Sequence, residues 1–117
     1  FSGLPDNPSH SLATKYLPIG PGAIFTFGVQ APSPDGARKA GQRFIESLSM
    51  ISHLANVGDA RTLVIHPAST THQQLSSEAL VAAGVGTDMI RLSIGLEDLD
   101  DILWDLDRGL SAAQDVL

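Results

Sequence analysis

Apolar residues recur along this chain with two different periods, and the alternation between them lays out the elements. Ala37, Ala40, Phe44, Leu48 and Ile51 return every three or four residues, the spacing that lines one face of an α-helix. The pattern predicts a helix over residues 37–50 or 51. Leu99, Ile102, Leu103, Leu106, Leu110, Ala113 and Leu117 form a second and longer stripe. Glu97, Asp98, Asp100 and Asp101 crowd its start, where carboxylates are stabilised by the positive end of the helix dipole. Between the helices lie short runs rich in β-branched and aromatic residues, at 23–30, 62–66 and 89–94, which read as strands. The run at 62–66 is closed by Pro67 and is apolar enough to be buried.

Punctuation residues supply the remaining boundaries. Asn7 as N-cap and Pro8 at the first helical position predict a short helix over 8–16, ended before Pro18. Gly20-Pro21-Gly22 and Asn56-Val57-Gly58-Asp59 read as turns, and residues 31–36, with two prolines, as loop. Residues 79–83 suggest another short helix, with Gly84 as its C-cap. The order is α-β-α-β-α-β-α. Four helices and three short strands imply an α/β sandwich with helices packed mainly on one sheet face. The pattern does not settle strand order.

Composition narrows the function classes. The chain has 117 residues, 43% of them hydrophobic and 17% charged, the balance of one globular domain. Its formal net charge of −6 repels a phosphate backbone, which argues against nucleic acid as a partner. No apolar run approaches the ~18–20 residues that span a bilayer, so no membrane role is expected. The absence of cysteine fits a cytoplasmic protein. The chain opens at Phe1 without a Met, and an excised or trimmed fragment is the simpler expectation.

Two patterns carry candidate chemistry. His66-Pro67-Ala68-Ser69-Thr70-Thr71-His72 puts hydroxyls and imidazoles directly after a buried strand, which suits either a binding site or ordinary turn chemistry. No second His or Cys stands at zinc-like spacing, so no metal site is expected. Arg91 sits between Ile90 and Leu92 on a predicted strand and should point away from both. A guanidinium there can clamp a carboxylate through two parallel hydrogen bonds, or it can form a structural ion pair with one of the many acids. The residues alone leave that choice open.

At these residues the chain resembles a known family. Residues 56–72, from Asn56-Val57-Gly58-Asp59 through His66-Pro67-Ala68-Ser69-Thr70-Thr71-His72, and Arg91-Leu92-Ser93-Ile94-Gly95-Leu96-Glu97-Asp98 resemble small-domain signatures of the Cys/Met-metabolism enzymes that use pyridoxal phosphate. Gly3-Leu4-Pro5, residues 8–16 and Ala23-Ile24-Phe25-Thr26-Phe27 resemble the approach to that domain and its first strand. The resemblance covers essentially the whole chain and is nearest the O-acetylhomoserine sulfhydrylase branch. It implies the small C-terminal domain of a fold-type I enzyme, with a short, mostly antiparallel sheet.

The resemblance also implies roles. Arg91 matches the arginine that binds the substrate α-carboxylate, Asn56 a neighbouring position where lyases carry Ser, and Thr71 a polar position near the substrate. His66, Ser69, His72 and Ser93 fall to packing or support, and residues 95–98 to the entry of the last helix. In the complete enzyme a lysine would hold pyridoxal phosphate, acetate would leave O-acetylhomoserine, and sulfide would add to give homocysteine for methionine synthesis. Cystathionine synthases, γ-lyases and O-succinylhomoserine sulfhydrylases are the neighbouring possibilities. A free-standing module that binds a small carboxylate, or an interaction domain, is the reading outside catalysis. Lys15 and Lys39 are the only lysines, and neither has the surroundings of the cofactor lysine. The N-terminal cofactor domain is therefore expected elsewhere, and the 117 residues alone should be inactive and free of cofactor; the resemblance further implies a homotetramer for the full protein.

Overall fold

The computed structural model describes residues 1–70 and 72–117. Among the described residues the elements run α1 His10–Tyr16, β1 Ile24–Gly28, α2 Pro34–Glu46, β2 Ser52–His53, β3 Leu63–Ile65, a 3-10 turn Pro67–Ser69, α3 Ser77–Ala82, β4 Met89–Ser93 and α4 Leu99–Gln114. The strands form one sheet in the order β1-β4-β3-β2. β4 pairs antiparallel with both β1 and β3, and only β2 runs parallel to its neighbour. The sheet is mostly antiparallel, as the resemblance implies.

The helix starts follow capping chemistry. Ser33 Oγ accepts the Gly36 N–H at 3.1 Å with Pro34 in the first turn, so α2 begins inside the segment read as loop. Ser76 Oγ caps α3 through the Ala79 N–H at 3.2 Å, and Asp98 caps α4 through the Asp100 N–H at 2.9 Å. Gly84, at φ +75°, ends the α3 turn in the left-handed region that a side chain would strain. α1 departs from expectation. Asn7 Oδ1 accepts the Ser9 N–H at 2.9 Å in a local turn, and the helix starts only at His10.

Two larger corrections concern α2 and the sheet. The apolar period of α2 continues to Ile51, yet the helix stops at Glu46. The reason is a carboxylate from α4. Asp105 Oδ1 accepts the Ser49 N–H at 2.8 Å, and its Oδ2 accepts those of Met50 and Ile51 at 2.9 and 2.8 Å. Those three N–H groups can no longer serve a continuing helix. The chain turns, and Ser52–His53 pairs with Leu63 and Val64 as a fourth strand, two residues long, with no periodic signal of its own.

The core lies between the sheet and the two long helices. Ala40, Phe44 and Ile45 from α2, Ala113 from α4, Val64 from β3 and Ile90 and Leu92 from β4 are buried in one cluster, with Phe25 and Phe27 packed against it. Gly109 lets the helices approach closely, since a methyl group there would lie 2.8 Å from the Phe44 ring. The long stripe on α4 is divided. Ile102 and Ala113 are buried, whereas Leu99, Leu103 and Leu110 are exposed, as is Leu117, which lies beyond the helix end at Gln114.

Candidate functional site

Arg91 occupies the middle of β4, between Ile90 and Leu92, which point into the core. Side chains alternate along a strand, so Arg91 projects from the opposite sheet face. Register places Thr26 of β1 on one side of it and Ile65 of β3 on the other. The expectation that Arg91 points away from its two apolar neighbours holds.

Among the described residues the guanidinium is held at one point. Its Nη2 donates to the backbone carbonyl of Asn56 at 2.9 Å. Among the described residues no carboxylate pairs with it, the ion pairs there being Arg61 with Asp59 and Arg108 with Asp105. Nη2 contributes one hydrogen to each of the two edges from which arginine can grip a carboxylate. One bond to Asn56 therefore leaves one two-pronged edge intact.

The carbonyl that holds Arg91 belongs to a tightly organised loop. Asn56 Oδ1 accepts the Val57 N–H at 2.8 Å, and Asn56 Nδ2 donates to Asp59 Oδ2 at 3.4 Å. Asp59 Oδ1 accepts both the backbone N–H and the Nε of Arg61, at 2.8 and 3.2 Å, while its Oδ2 takes Nη2 at 3.1 Å. The hydrogen bonds from Arg61 hold the Asp59 carboxyl at about 2, well below its ordinary range. Gly58, at φ +73°, allows the turn between them. Asn56 is thus brought to Arg91, but through its main chain; its side chain is spent on the loop. Thr71 lies outside the described residues.

Two buried polar contacts fix the strand ends around this site. The Glu97 carboxylate accepts the Thr62 N–H at 2.8 Å and the Thr62 Oγ1–H at 2.7 Å, and Thr62 Oγ1 in turn accepts the Gly95 N–H at 2.9 Å. Desolvation pushes the Glu97 carboxyl up, but the Thr62 donors outweigh it and hold it below its usual value. Gly95 is required for this approach, since a methyl group there would sit 2.3 Å from the Ala60 carbonyl oxygen. Beyond β3, His66 is fully buried. Its Nε2 lies 2.7 Å from the Thr87 carbonyl and its Nδ1 2.8 Å from Ser69 Oγ. A carbonyl only accepts, so the proton sits on Nε2 and Ser69 donates to Nδ1. His66 and Ser93 are buried, and Ser69 holds the imidazole from the chain's next turn.

Sequence reasoning missed Asp59, Arg61, Glu97 and Asp105 as organising groups. Asp59 and Arg61 stand two apart across a turn signal, and that proximity was the available clue. An open cleft of about 550 Å³ on the α2–α4 seam, lined by residues including Arg43, Leu48 and Arg108, does not include Arg91 or Asn56. Lys15 and Lys39 are both exposed, and Lys15 Nζ lies 5.1 Å from the centre of the Tyr16 ring.

Comparison with known proteins agrees with this fold. Residues 1–111 match the family described as Cys/Met metabolism PLP-dependent enzyme. The chain is 51% identical to O-acetyl-L-homoserine sulfhydrylase 1 of Thermus thermophilus over 111 residues, covering 95% of this chain and 25% of that protein. It is 47% identical to homocysteine synthase of Schizosaccharomyces pombe, covering 97% of this chain and 25% of that protein. Cystathionine gamma synthase from Xanthomonas oryzae pv. oryzae, solved in complex with aminoacrylate and cysteine, superposes with a TM-score of 0.81 at 35% identity. That alignment covers 100% of this chain and 29% of the solved one. The chain spans about a quarter of the length of the curated relatives it matches.

Proposed function

Because the chain belongs to the Cys/Met-metabolism family of pyridoxal-phosphate-dependent enzymes, we propose that it is the small C-terminal domain of a sulfhydrylase and that Arg91 binds the α-carboxylate of its substrate. The observation that carries this reading is the state of the guanidinium: it is anchored by a backbone carbonyl and has no carboxylate partner among the described residues. A two-pronged guanidinium edge suits a planar carboxylate. Anchoring fixes that carboxylate, and with it the reacting part of an amino-acid substrate.

The sulfhydrylase assignment rests on similarity to an O-acetylhomoserine enzyme at 51% identity. The substrates we propose are O-acetylhomoserine and sulfide, and the products homocysteine and acetate, in a cytoplasmic homotetramer. The cofactor supplies the electron sink for elimination and replacement at the substrate. This chain's own residues do not fit the lysine that would hold it: Lys15 and Lys39 are exposed on helices. The lysine and the phosphate cradle then belong to the rest of the longer protein, and these 117 residues alone are inactive.

The test is steady-state kinetics of the full-length enzyme with Arg91→Lys and Arg91→Ala. A charge-assisted bidentate contact is worth about 1.5–3 kcal/mol, so KM for O-acetylhomoserine should rise roughly tenfold to hundredfold while KM for sulfide stays put. An unchanged amino-acid KM in both variants would remove Arg91 from the carboxylate site.

A further inference from the structure

We propose that Asp59 is the positioning residue for Arg91, acting through the Asn56 loop rather than on the substrate; this rests on the carboxylate reading of Arg91. The hydrogen bonds form one chain. Arg91 Nη2 meets the Asn56 carbonyl, the Asn56 amide meets Asp59, and Asp59 is gripped by the backbone and guanidinium of Arg61. Because the Asn56 side chain is occupied on both its oxygen and its nitrogen, its main-chain carbonyl is turned outward toward β4. Asp59 stands at the junction of these contacts, and its side chain is 16% exposed whereas that of Arg61 is 60% exposed. The carboxylate is the fixed point and the arginine its outer clamp. Without it, the loop loses the bonds that orient the Asn56 carbonyl, Nη2 loses its anchor, and the guanidinium regains rotamer freedom that carboxylate binding must then remove. Held at about 2 by Arg61, the Asp59 carboxyl is ionised near neutral pH.

The experiment uses the full-length enzyme with Asp59→Ala and Asp59→Asn, each compared with Arg91→Lys. Isothermal titration measures the affinity of norleucine, an unreactive α-amino carboxylate, and of its amide. The ratio of the two affinities reports carboxylate recognition alone, and a general loosening of the fold lowers both without changing it. Asp59→Ala should reduce the ratio roughly threefold to tenfold, with kcat for the sulfhydrylase reaction within about twofold of wild type. Asp59→Asn keeps an acceptor for the Asn56 amide and should fall between Asp59→Ala and wild type. It carries the test by itself if Asp59→Ala does not accumulate as folded protein. A ratio that falls for Arg91→Lys but is unchanged for both Asp59 variants overturns the positioning role and leaves the carboxylate site standing. A ratio unchanged for Arg91→Lys overturns the carboxylate reading, and the positioning role with it.

Discussion

Asp105 Oδ2 accepts the backbone N–H of Ile51 at 2.8 Å, joining α4 to a loop that lies 54 positions earlier in the chain. The same carboxylate also takes the N–H groups of Ser49 and Met50, and it is fully buried. Arg108 Nη1 stands 3.9 Å from its Oδ1 and donates to Ser49 Oγ at 2.6 Å, closing the contact from outside. Three main-chain donors otherwise left without partners would each carry a desolvation penalty. Asp105→Ala should therefore destabilise the protein by about 3–5 kcal/mol, read from the urea midpoint at constant m-value. A loss below about 1 kcal/mol would show that the 49–51 loop satisfies itself without the carboxylate.

This contact also shows where legibility in the sequence ends. The periods of Phe44, Leu92 and Ile102 placed α2, β4 and α4, because burial on one face imposes a repeat that survives in one dimension. Arg91 was legible for the same reason, as a charge interrupting an apolar strand. The end of α2 was not, since Leu48 and Ile51 keep the helical period while Asp105 captures the donors that a further turn would need. Nothing in the spacing of Asp105 distinguishes it from Asp107 or Asp101 on the same helix. Asn56 was placed beside Arg91 by resemblance, but that the main chain makes the contact is a property of the folded loop.

Acid should weaken the fold in two stages with different causes. His66 is buried neutral, and desolvation is the main reason its imidazole titrates below the ordinary histidine value. The unfolded chain then takes up a proton first, so this contribution is complete above an unfolded pKa of about 6.5 and is lost as pH falls from there through the lower folded value. For Asp105, desolvation pushes the carboxyl up, but the Ile51, Ser49 and Met50 N–H groups outweigh it and lower it. Its contribution is complete above an unfolded pKa of about 3.9 and is lost as pH falls through the folded value. Denaturant titrations at stepped pH should show the first decline starting near pH ~6.5, and His66→Gln should flatten that segment alone. A slope that persists in His66→Gln would assign the decline to another group.

Gly41 of α2 packs directly on His66, and a methyl group there would come within 2.7 Å of Nε2. The imidazole cannot withdraw without giving up the Thr87 carbonyl or Ser69. Gly→Ala in a helix interior otherwise stabilises by about 1 kcal/mol, so the intrinsic and packing terms oppose each other. Overpacking in a fixed site costs about 1–3 kcal/mol and should win. Gly41→Ala is expected to lower the thermal midpoint, and a raised midpoint would show that α2 can shift away from the histidine.

On α4, adjacent residues should respond in opposite ways. Ile102 is 4% exposed and Leu103 is 53% exposed. Truncating Ile102 to Ala removes buried methyl groups and leaves a cavity that the packed helices can only partly close, at a cost of about 2–5 kcal/mol. Leu103→Ser removes side-chain atoms already half in water and, in the 117-residue chain, should change stability by no more than about 0.5 kcal/mol. The comparison is internal, because both residues share one helix turn. Chemical denaturation of the two variants gives the answer directly. Equal losses would mean that the leucine face of α4 is covered in the folded chain, and the division of its stripe into a buried and an open half would have to be redrawn.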